Sequence, residues 1–134
     1  MTTSFDIDAN NCFACSSTNP IGLNIRFSME GALCVAKFTP GPNHVGYNDV
    51  VHGGILFTAL DDVMANWLFL QGRRAYTGKA SIRYRREGRV GETLRLEGAC
   101  VRERRRLVEL TGRALVAETG EVVCEAEGTF MLTG

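Results

Sequence analysis

The sequence predicts an α+β fold in which one antiparallel sheet curls around a single long, buried helix. Residues 50–70 carry apolar side chains at positions that cover every face of a helix, which is typical of a buried helix. After this stretch the hydrophobic period changes to two and remains two to the end of the chain, which is typical of strands. One helix followed by a meander of strands is an α+β pattern, and an antiparallel sheet can bury its apolar face against that helix.

Alternating apolar residues and turn residues predict the strands and the loops between them. Residues 23–29 and 33–38 alternate on either side of Gly31, which predicts a hairpin ahead of the helix. Residues 39–49 contain two prolines and two glycines and are expected to form a loop. The helix should end near Gly72, because glycine is the usual residue just past a helix C-terminus. Four longer strands are predicted after it, at residues 75–85, 93–104, 107–117 and 122–132.

Chain length and charge limit the classes of function. A chain of 134 residues suits one domain, here residues 1–134 with a loose polar arm at residues 1–11. The formal net charge is zero, so no overall field attracts nucleic acid or an anionic membrane. The apolar stretch is also too short, and too interrupted by Asp61, Asp62 and Asn66, to span a bilayer. We therefore expect neither nucleic acid nor a membrane among the partners.

The five cysteines indicate reduced thiols rather than a disulfide framework. Their number is odd and no secretory leader precedes them, so we expect a cytoplasmic protein. Cys12 and Cys15 form a C-x-x-C motif, but a metal site needs about four ligands, and no second Cys or His pair has metal-ligand spacing. The sequence therefore predicts no metal site and no cofactor. Cys34, Cys100 and Cys124 lie in strand-like apolar stretches, where cysteine acts as a small hydrophobic residue.

Two neighbouring carboxylates, Asp61 and Asp62, lie within the most apolar helix of the chain. A carboxylate in apolar surroundings costs free energy unless it is hydrogen-bonded or paired with a charge. Carboxylates with perturbed pKa values are common at functional sites, but structural ion-pair networks also perturb the pKa values of carboxylates. The residue pattern alone leaves both interpretations open.

Four motifs follow one another along the chain: Cys12-Phe13-Ala14-Cys15, Asn19-Pro20-Ile21-Gly22-Leu23, His52-Gly53-Gly54 with Asp61 behind it, and Thr77. Their order and spacing resemble the hotdog-fold thioesterases of the phenylacetic-acid-degradation type, which act on acyl-coenzyme A. In that family the sheet wraps the helix, two chains join their sheets edge to edge, and dimers often pair. The resemblance therefore implies an acyl-CoA thioesterase that forms a homodimer and a further dimer of dimers.

The resemblance also assigns catalytic roles. Thioester hydrolysis needs an activated water or a nucleophile, together with donors for the developing oxyanion. The Gly53 amide is the first choice of oxyanion donor and Gly54 the second, because free N–H groups at a helix N-terminus favour negative charge. Asp61 acts as general base or as nucleophile, two roles that the sequence does not separate. Thr77 orients the attacking water, and His52 either holds the loop by a hydrogen bond or helps to polarise the thioester carbonyl.

Five further residues are assigned to substrate binding. Coenzyme A carries phosphates, so arginines are expected at the mouth of the site, although arginines on strands and turns are often merely solvated. Tyr84 is assigned to the acyl tunnel, with core packing as its alternative role. Asp62 is placed beside the catalytic acid, and the reversed assignment of the two acids stays open. The basic members of the set are Arg83, Arg85 and Arg86.

A distance argument connects the catalytic roles to a dimer. Gly53 and Asp61 are eight positions apart, or about 12 Å along a helix at ~1.5 Å per residue. One thioester carbon needs the base and the oxyanion donor within a few ångströms, so a single helix does not easily supply both. We therefore predict two sites per dimer, each shared between two chains. The alternative function is a non-catalytic module that binds acyl-CoA or another metabolite; a hydratase would need an Asp–His pair in one chain, which this spacing does not suggest.

Overall fold

The computed structural model describes residues 10–133, so of the predicted arm at residues 1–11 only Asn10 and Asn11 lie within the described residues. The elements are β1 (Ser28–Glu30), β2 (Leu33–Phe38), α1 (Gly53–Phe69), β3 (Arg74–Tyr84), β4 (Leu94–Arg104), β5 (Leu107–Val116) and β6 (Val122–Thr133). In that part of the chain one six-stranded sheet has the order β1-β2-β4-β5-β6-β3, and every neighbouring pair is antiparallel. This confirms the predicted antiparallel sheet with one long helix.

The helix α1 lies across one face of the sheet and contacts five of the strands. Its sheet-facing side chains are fully or almost fully buried and form the core with alternate residues of the strands. None of the helices within residues 10–133 is long and apolar enough to cross a bilayer. The helical residues that are buried are Leu56, Ala59, Leu60, Val63, Met64, Asn66 and Leu68.

A row of small residues brings the sheet into close contact with the helix backbone. Gly98 on β4 pairs with Gly112 on β5, which pairs with Ala126 on β6. A Cβ atom on Gly98 would lie 2.6 Å from the carbonyl oxygen of Val63, and one on Gly112 would lie 3.2 Å from the Met64 side chain. Larger residues in this row would push the helix away from the sheet, so the row sets the depth at which α1 lies.

The opposite side of α1 is only half-buried in the single chain. Phe57, Asp61 and Ala65 lie on this side and keep partial exposure. The helix is apolar on all faces, as the sequence indicated, but a single sheet covers one side of a helix. This leaves an incompletely covered apolar face next to the edge strand β3.

The first strand is shorter than predicted. Residues 23–29 were expected to form it, but β1 begins at Ser28. Asn24 has a φ of 53°, which interrupts an extended strand. The amides of Leu23 and Ile25 instead donate to the carbonyls of Phe13 and Ala14. The apolar alternation of residues 23–27 therefore packs a non-strand segment against the C-x-x-C turn.

The strand β3 forms one edge of the sheet and contains a bulge. Its register with β6 shifts between Thr77 and Lys79. An extra residue in a strand reverses which face the following side chains occupy. Thr77 therefore shares the helix-facing side with Tyr84, whereas strict alternation would have placed it on the side of Arg83 and Arg85.

The small-residue row yields a stability prediction. Gly98→Ala should lower the free energy of unfolding by about 1–3 kcal/mol, because the new methyl group meets helix backbone that has no rotamer to change. Urea unfolding at a fixed protein concentration measures this difference. The matched control is Gly41→Ala, where the nearest atom to the new methyl group is 3.9 Å away. Equal stability of the two variants would contradict the close contact.

Candidate active site

The start of α1 is built by His52 and the two glycines after it. His52 caps the helix with an extended backbone (φ −58°, ψ 131°), and its Nδ1 accepts a hydrogen bond from the Gly54 amide at 2.8 Å. The neutral imidazole that accepts at Nδ1 carries its proton on Nε2. The side chain of His52 is thus part of the turn, and the amide of Gly54 already has an acceptor.

The amide of Gly53 is the free donor of this turn. Within residues 10–133 it has no acceptor, while the amides of Ile55 and Leu56 donate to the His52 carbonyl. The Gly53 carbonyl accepts a hydrogen bond from the Tyr84 hydroxyl at 2.7 Å. Tyr84 therefore holds the helix start from β3, and partial burial raises the pKa of its hydroxyl, which keeps its proton. The free N–H and the positive end of the helix dipole together favour an anion at Gly53.

Asp61 lies on the half-buried side of α1 and is paired with the edge strand. The Thr77 hydroxyl donates to Asp61 Oδ1 at 2.7 Å. The bulge after Thr77 is what turns this side chain towards the helix. The arrangement holds one carboxylate oxygen in place and leaves the other able to accept a proton from a bound water.

Asp62 lies in a different environment from Asp61. Adjacent helix residues point about 100° apart, and Asp62 faces the N-terminal segment instead of β3. Asn66 Nδ2 donates to Asp62 Oδ2 at 2.9 Å, and the Cys12 thiol donates to Oδ1 at 3.9 Å. Burial raises the pKa of Asp62 to about 7, and the negative charge that Cys12 carries in its thiolate form adds to this rise. The hydrogen bond between the thiols lowers the pKa of Cys12 and raises that of Cys15.

The three predicted arginines do not lie beside Asp61 in the single chain. Arg83 and Arg85 line a groove of about 720 Å³ that also includes Glu125 and residues of β4 and β5, on the sheet face away from the helix. Arg85 is ion-paired with Glu125. Arg86 is half-buried and pairs with Glu92 at 2.7 Å and with Glu121 at 3.1 Å. Among the described residues, Arg83 is the member of the trio without an ion pair.

The two groups predicted to act on the thioester lie apart in the single chain. The Gly53 carbonyl is bonded to Tyr84 at the helix start, and Asp61 is bonded to Thr77 farther along the helix. Their separation along the helix is about 12 Å at ~1.5 Å per residue. Neither the Tyr84–Gly53 hydrogen bond nor the contact of Asp62 with the cysteines follows from the sequence pattern. The only signal for the latter was the C-x-x-C motif, because its partner lies 50 positions away.

Several solved structures share this architecture. The structure is similar to a hypothetical thioesterase of Streptococcus pneumoniae TIGR4 solved with coenzyme A, at 27% identity and a TM-score of 0.77, over 83% of this chain and 90% of that chain. It is similar to a Streptococcus mutans UA159 protein bound to acetyl-CoA, at 26% identity and a TM-score of 0.76, over 83% and 90%. The E. coli PaaI protein of the phenylacetic acid degradation operon shares the fold at 22% identity, with a TM-score of 0.75 over 81% and 83%.

The sequence comparisons point to the same group of proteins. No curated protein matches the chain at a significant level. The family model of the thioesterase superfamily matches residues 48–124, which include α1 and the strands from β3 to β5. The antiparallel sheet around one helix is the hotdog fold of these thioesterases, as the sequence resemblance implied. The chain therefore belongs to the thioesterase superfamily.

Proposed function

We propose that this protein hydrolyses acyl-coenzyme A thioesters in a site formed by the Asp61–Thr77 pair of one chain and the Gly53 amide of another. The observation that carries the proposal is the hydrogen-bonded Asp61–Thr77 pair on a half-buried helix face, with an unpaired backbone donor at the start of the same helix. Two similar structures, at 26% and 27% identity, hold acetyl-CoA and coenzyme A. Membership of the thioesterase superfamily supports the same reaction class.

Asp61 is the acid best placed to activate water. Its Oδ1 accepts from Thr77, so the carboxylate is oriented while Oδ2 can take a proton from water. The water oxygen then attacks the thioester carbon, the carbon–sulfur bond breaks, and the proton passes to the leaving sulfur of coenzyme A. Direct attack by the Asp61 carboxylate is the alternative path to the same products. Asp62 is less suited to either path, because Asn66 and the two thiols surround it.

The Gly53 amide is the proposed oxyanion donor. It is unpaired among the described residues, whereas the Gly54 amide donates to His52. The carbonyl oxygen of the thioester gains negative charge during attack, and a preorganised N–H that needs no rearrangement stabilises that charge. His52 and Tyr84 act on this donor indirectly, since each holds one part of the turn that presents it.

A second copy of the chain would complete the site. The edge strand β3 leaves one side of its backbone without a strand partner among residues 10–133, which allows it to extend the sheet into a second chain. Tyr76 on this strand is 58% exposed, and the neighbouring helix face around Phe57 is only half-buried. A two-fold axis beside β3 would cover these apolar groups and bring the Gly53 amide of one chain to Asp61 of its mate.

The coenzyme A phosphates need cationic partners. Arg83 has no ion pair among the described residues, so its guanidinium is the member of the predicted trio most open to a phosphate. Arg85 and Arg86 would first have to leave Glu125 and Glu92. Arg83 is therefore the proposed phosphate contact, on the sheet face that a bound coenzyme A would reach from the edge strand.

Asp61→Asn should lower kcat by about 10²- to 10⁴-fold, because asparagine accepts no proton from water. A panel of acyl-CoA esters, assayed by release of free thiol, measures the loss, and calorimetry with coenzyme A tests whether binding is retained. Asp49→Asn is the matched control, since Asp49 is exposed in a loop and its φ of 63° suits asparagine. Unchanged turnover in Asp61→Asn would contradict the role of Asp61, and no turnover of any ester by the native chain would favour a non-catalytic binding module.

Gly53→Pro should lower kcat by about 10²- to 10³-fold, the usual effect of removing one oxyanion donor. Proline deletes this N–H without breaking an intrahelical hydrogen bond, because Gly53 is the first helical residue. The backbone of His52 already has the φ and ψ that precede a proline. Gly53→Ala is the control, because it adds a methyl group but keeps the N–H. If kcat fell equally in both variants, the cause would be the added bulk beside Tyr84 and not the lost N–H.

Mixing the Asp61→Asn and Gly53→Pro proteins tests the shared site. If the site uses one group from each chain, a mixed dimer contains one intact site and one site that lacks both groups. Random reassociation after mild denaturation should then restore about a quarter of the native activity, since half the dimers are mixed and each has one working site. Denaturing and refolding each variant alone is the control. If a mixture that contains mixed dimers recovers no activity, Asp61 and the Gly53 amide of each site must come from the same chain.

A further inference from the structure

Three metal-ligating side chains converge where the N-terminal segment meets the helix. The Cys12 and Cys15 sulfurs and a carboxylate oxygen of Asp62 all lie within 4.8 Å of one another. Each of the three residues is half-buried. The proposed hydrolysis uses none of them, so the cluster needs an explanation of its own.

The fold holds the two cysteines against Asp62 through backbone hydrogen bonds. The Ser16 amide donates to the Cys12 carbonyl at 3.0 Å, which closes the C-x-x-C turn. The carbonyls of Phe13 and Ala14, between the two cysteines, accept from Leu23 and Ile25 at 2.8 Å. Both of those partners are buried in the core. The turn is therefore fastened to the core on one side and presents its sulfurs to the helix on the other.

Asp62 is oriented towards the sulfurs by a buried amide. Asn66 Nδ2 donates both to Asp62 Oδ2 at 2.9 Å and to the Asp62 carbonyl at 3.0 Å. This leaves Oδ1 facing the Cys12 sulfur at 3.9 Å. A hydrogen bond to the second oxygen of a ligating carboxylate is the usual outer-shell support of a metal site. Asn66 is 6% exposed, so its amide is not merely a solvated surface group.

We propose that Cys12, Cys15 and Asp62 bind a thiophilic divalent cation such as Zn²⁺. Tetrahedral zinc with bonds of about 2.3 Å to sulfur and 2.0–2.2 Å to oxygen places a sulfur and an oxygen ligand about 3.5 Å apart. The Cys12–Asp62 pair is 3.9 Å apart and all pairs lie within 4.8 Å, so the side chains would have to close by at most about 1 Å to reach tetrahedral spacing. Binding would release the two thiol protons to solvent and leave two thiolates and a carboxylate around the cation. Soft sulfur ligands with one oxygen favour zinc over magnesium or calcium.

A tetrahedral ion at this cluster would have a fourth position for a water or a small ligand, because the described residues supply three protein ligands. A cavity of about 320 Å³ lies on the Cys15 side of the cluster and is also lined by Ser16 and Asn66. The occupied site would join the N-terminal segment to α1 directly beside Asp61.

Metal titration of the reduced, chelator-treated full chain tests this inference without any activity assay. Co²⁺ added anaerobically should bind with a stoichiometry of one per chain, show thiolate-to-cobalt charge-transfer absorption, and be displaced by Zn²⁺. Cys15→Ser and the near-isosteric Asp62→Asn should each weaken binding by at least about a hundredfold, the upper end of what loss of an outer-shell partner costs. Cys100→Ser is the matched control, because Cys100 is a half-buried thiol on β4 outside the cluster.

Thermal unfolding gives a second measurement. Zn²⁺ should raise the Tm of the native chain and of Cys100→Ser, because an ion that binds the folded state stabilises it, and the same Zn²⁺ concentration should raise the Tm of Asp62→Asn less. Circular dichroism checks that each variant is folded before titration. Cobalt bound without the charge-transfer band, or with equal affinity in Asp62→Asn, would overturn the inference. Reduced chain that takes up no cobalt, together with a Cys12–Cys15 disulfide in protein purified without reductant, would overturn it in favour of a redox pair.

Discussion

The close contact between α1 and a row of small residues in the sheet is the constraint on which the rest of the structure depends. Gly98, Gly112 and Ala126 lie side by side on three strands and leave the space that the helix backbone occupies. A sheet with ordinary side chains in this row would hold the helix farther away, and the core would lose contacts that scale with apolar area. The row therefore sets the depth of the helix, and the buried apolar residues of α1 fix which of its sides turns to the sheet.

Helix rotation in turn decides what the two acids meet. Because Leu60, Val63 and Met64 point into the sheet, the side chains of Asp61 and Asp62 extend from two sides of the helix that the sheet does not cover. Asp61 meets Thr77 of the edge strand, and Asp62 meets the cysteines of the N-terminal segment. Adjacent residues of equal charge thus have separate environments, one half-buried beside the edge strand and one beside two thiols and a buried amide. This separation is the physical basis for giving them different roles.

Much of this was predictable from residue order. The apolar stretch, the later period of two and the turn residues were enough for an antiparallel sheet around one helix, because hydrophobic periodicity is a local property. The first strand is predicted at residues 23–29 but begins at Ser28. The alternating apolar residues before Ser28 pack a segment that is not a strand against the C-x-x-C turn. The bulge at Gly78 was not predictable either, because a bulge shows itself only in the register with the neighbouring strand. Because of the bulge, Thr77 and Arg83 lie on opposite faces of the sheet, whereas strict alternation would place them on the same face.

By itself the sequence determined the α+β class, the central helix and the glycine turn at its start, and the resemblance that its motifs carry singled out Asp61 and Thr77. These follow from local patterns and from short motifs whose spacing carries the resemblance. Only the tertiary structure decided that the Gly53 amide is free while that of Gly54 is used, that Tyr84 supports the helix start, and that Asp62 meets Cys12 and Cys15. Those contacts join residues 31 to 50 positions apart, or depend on how one side chain turns, and only close packing of the whole chain sets such geometry.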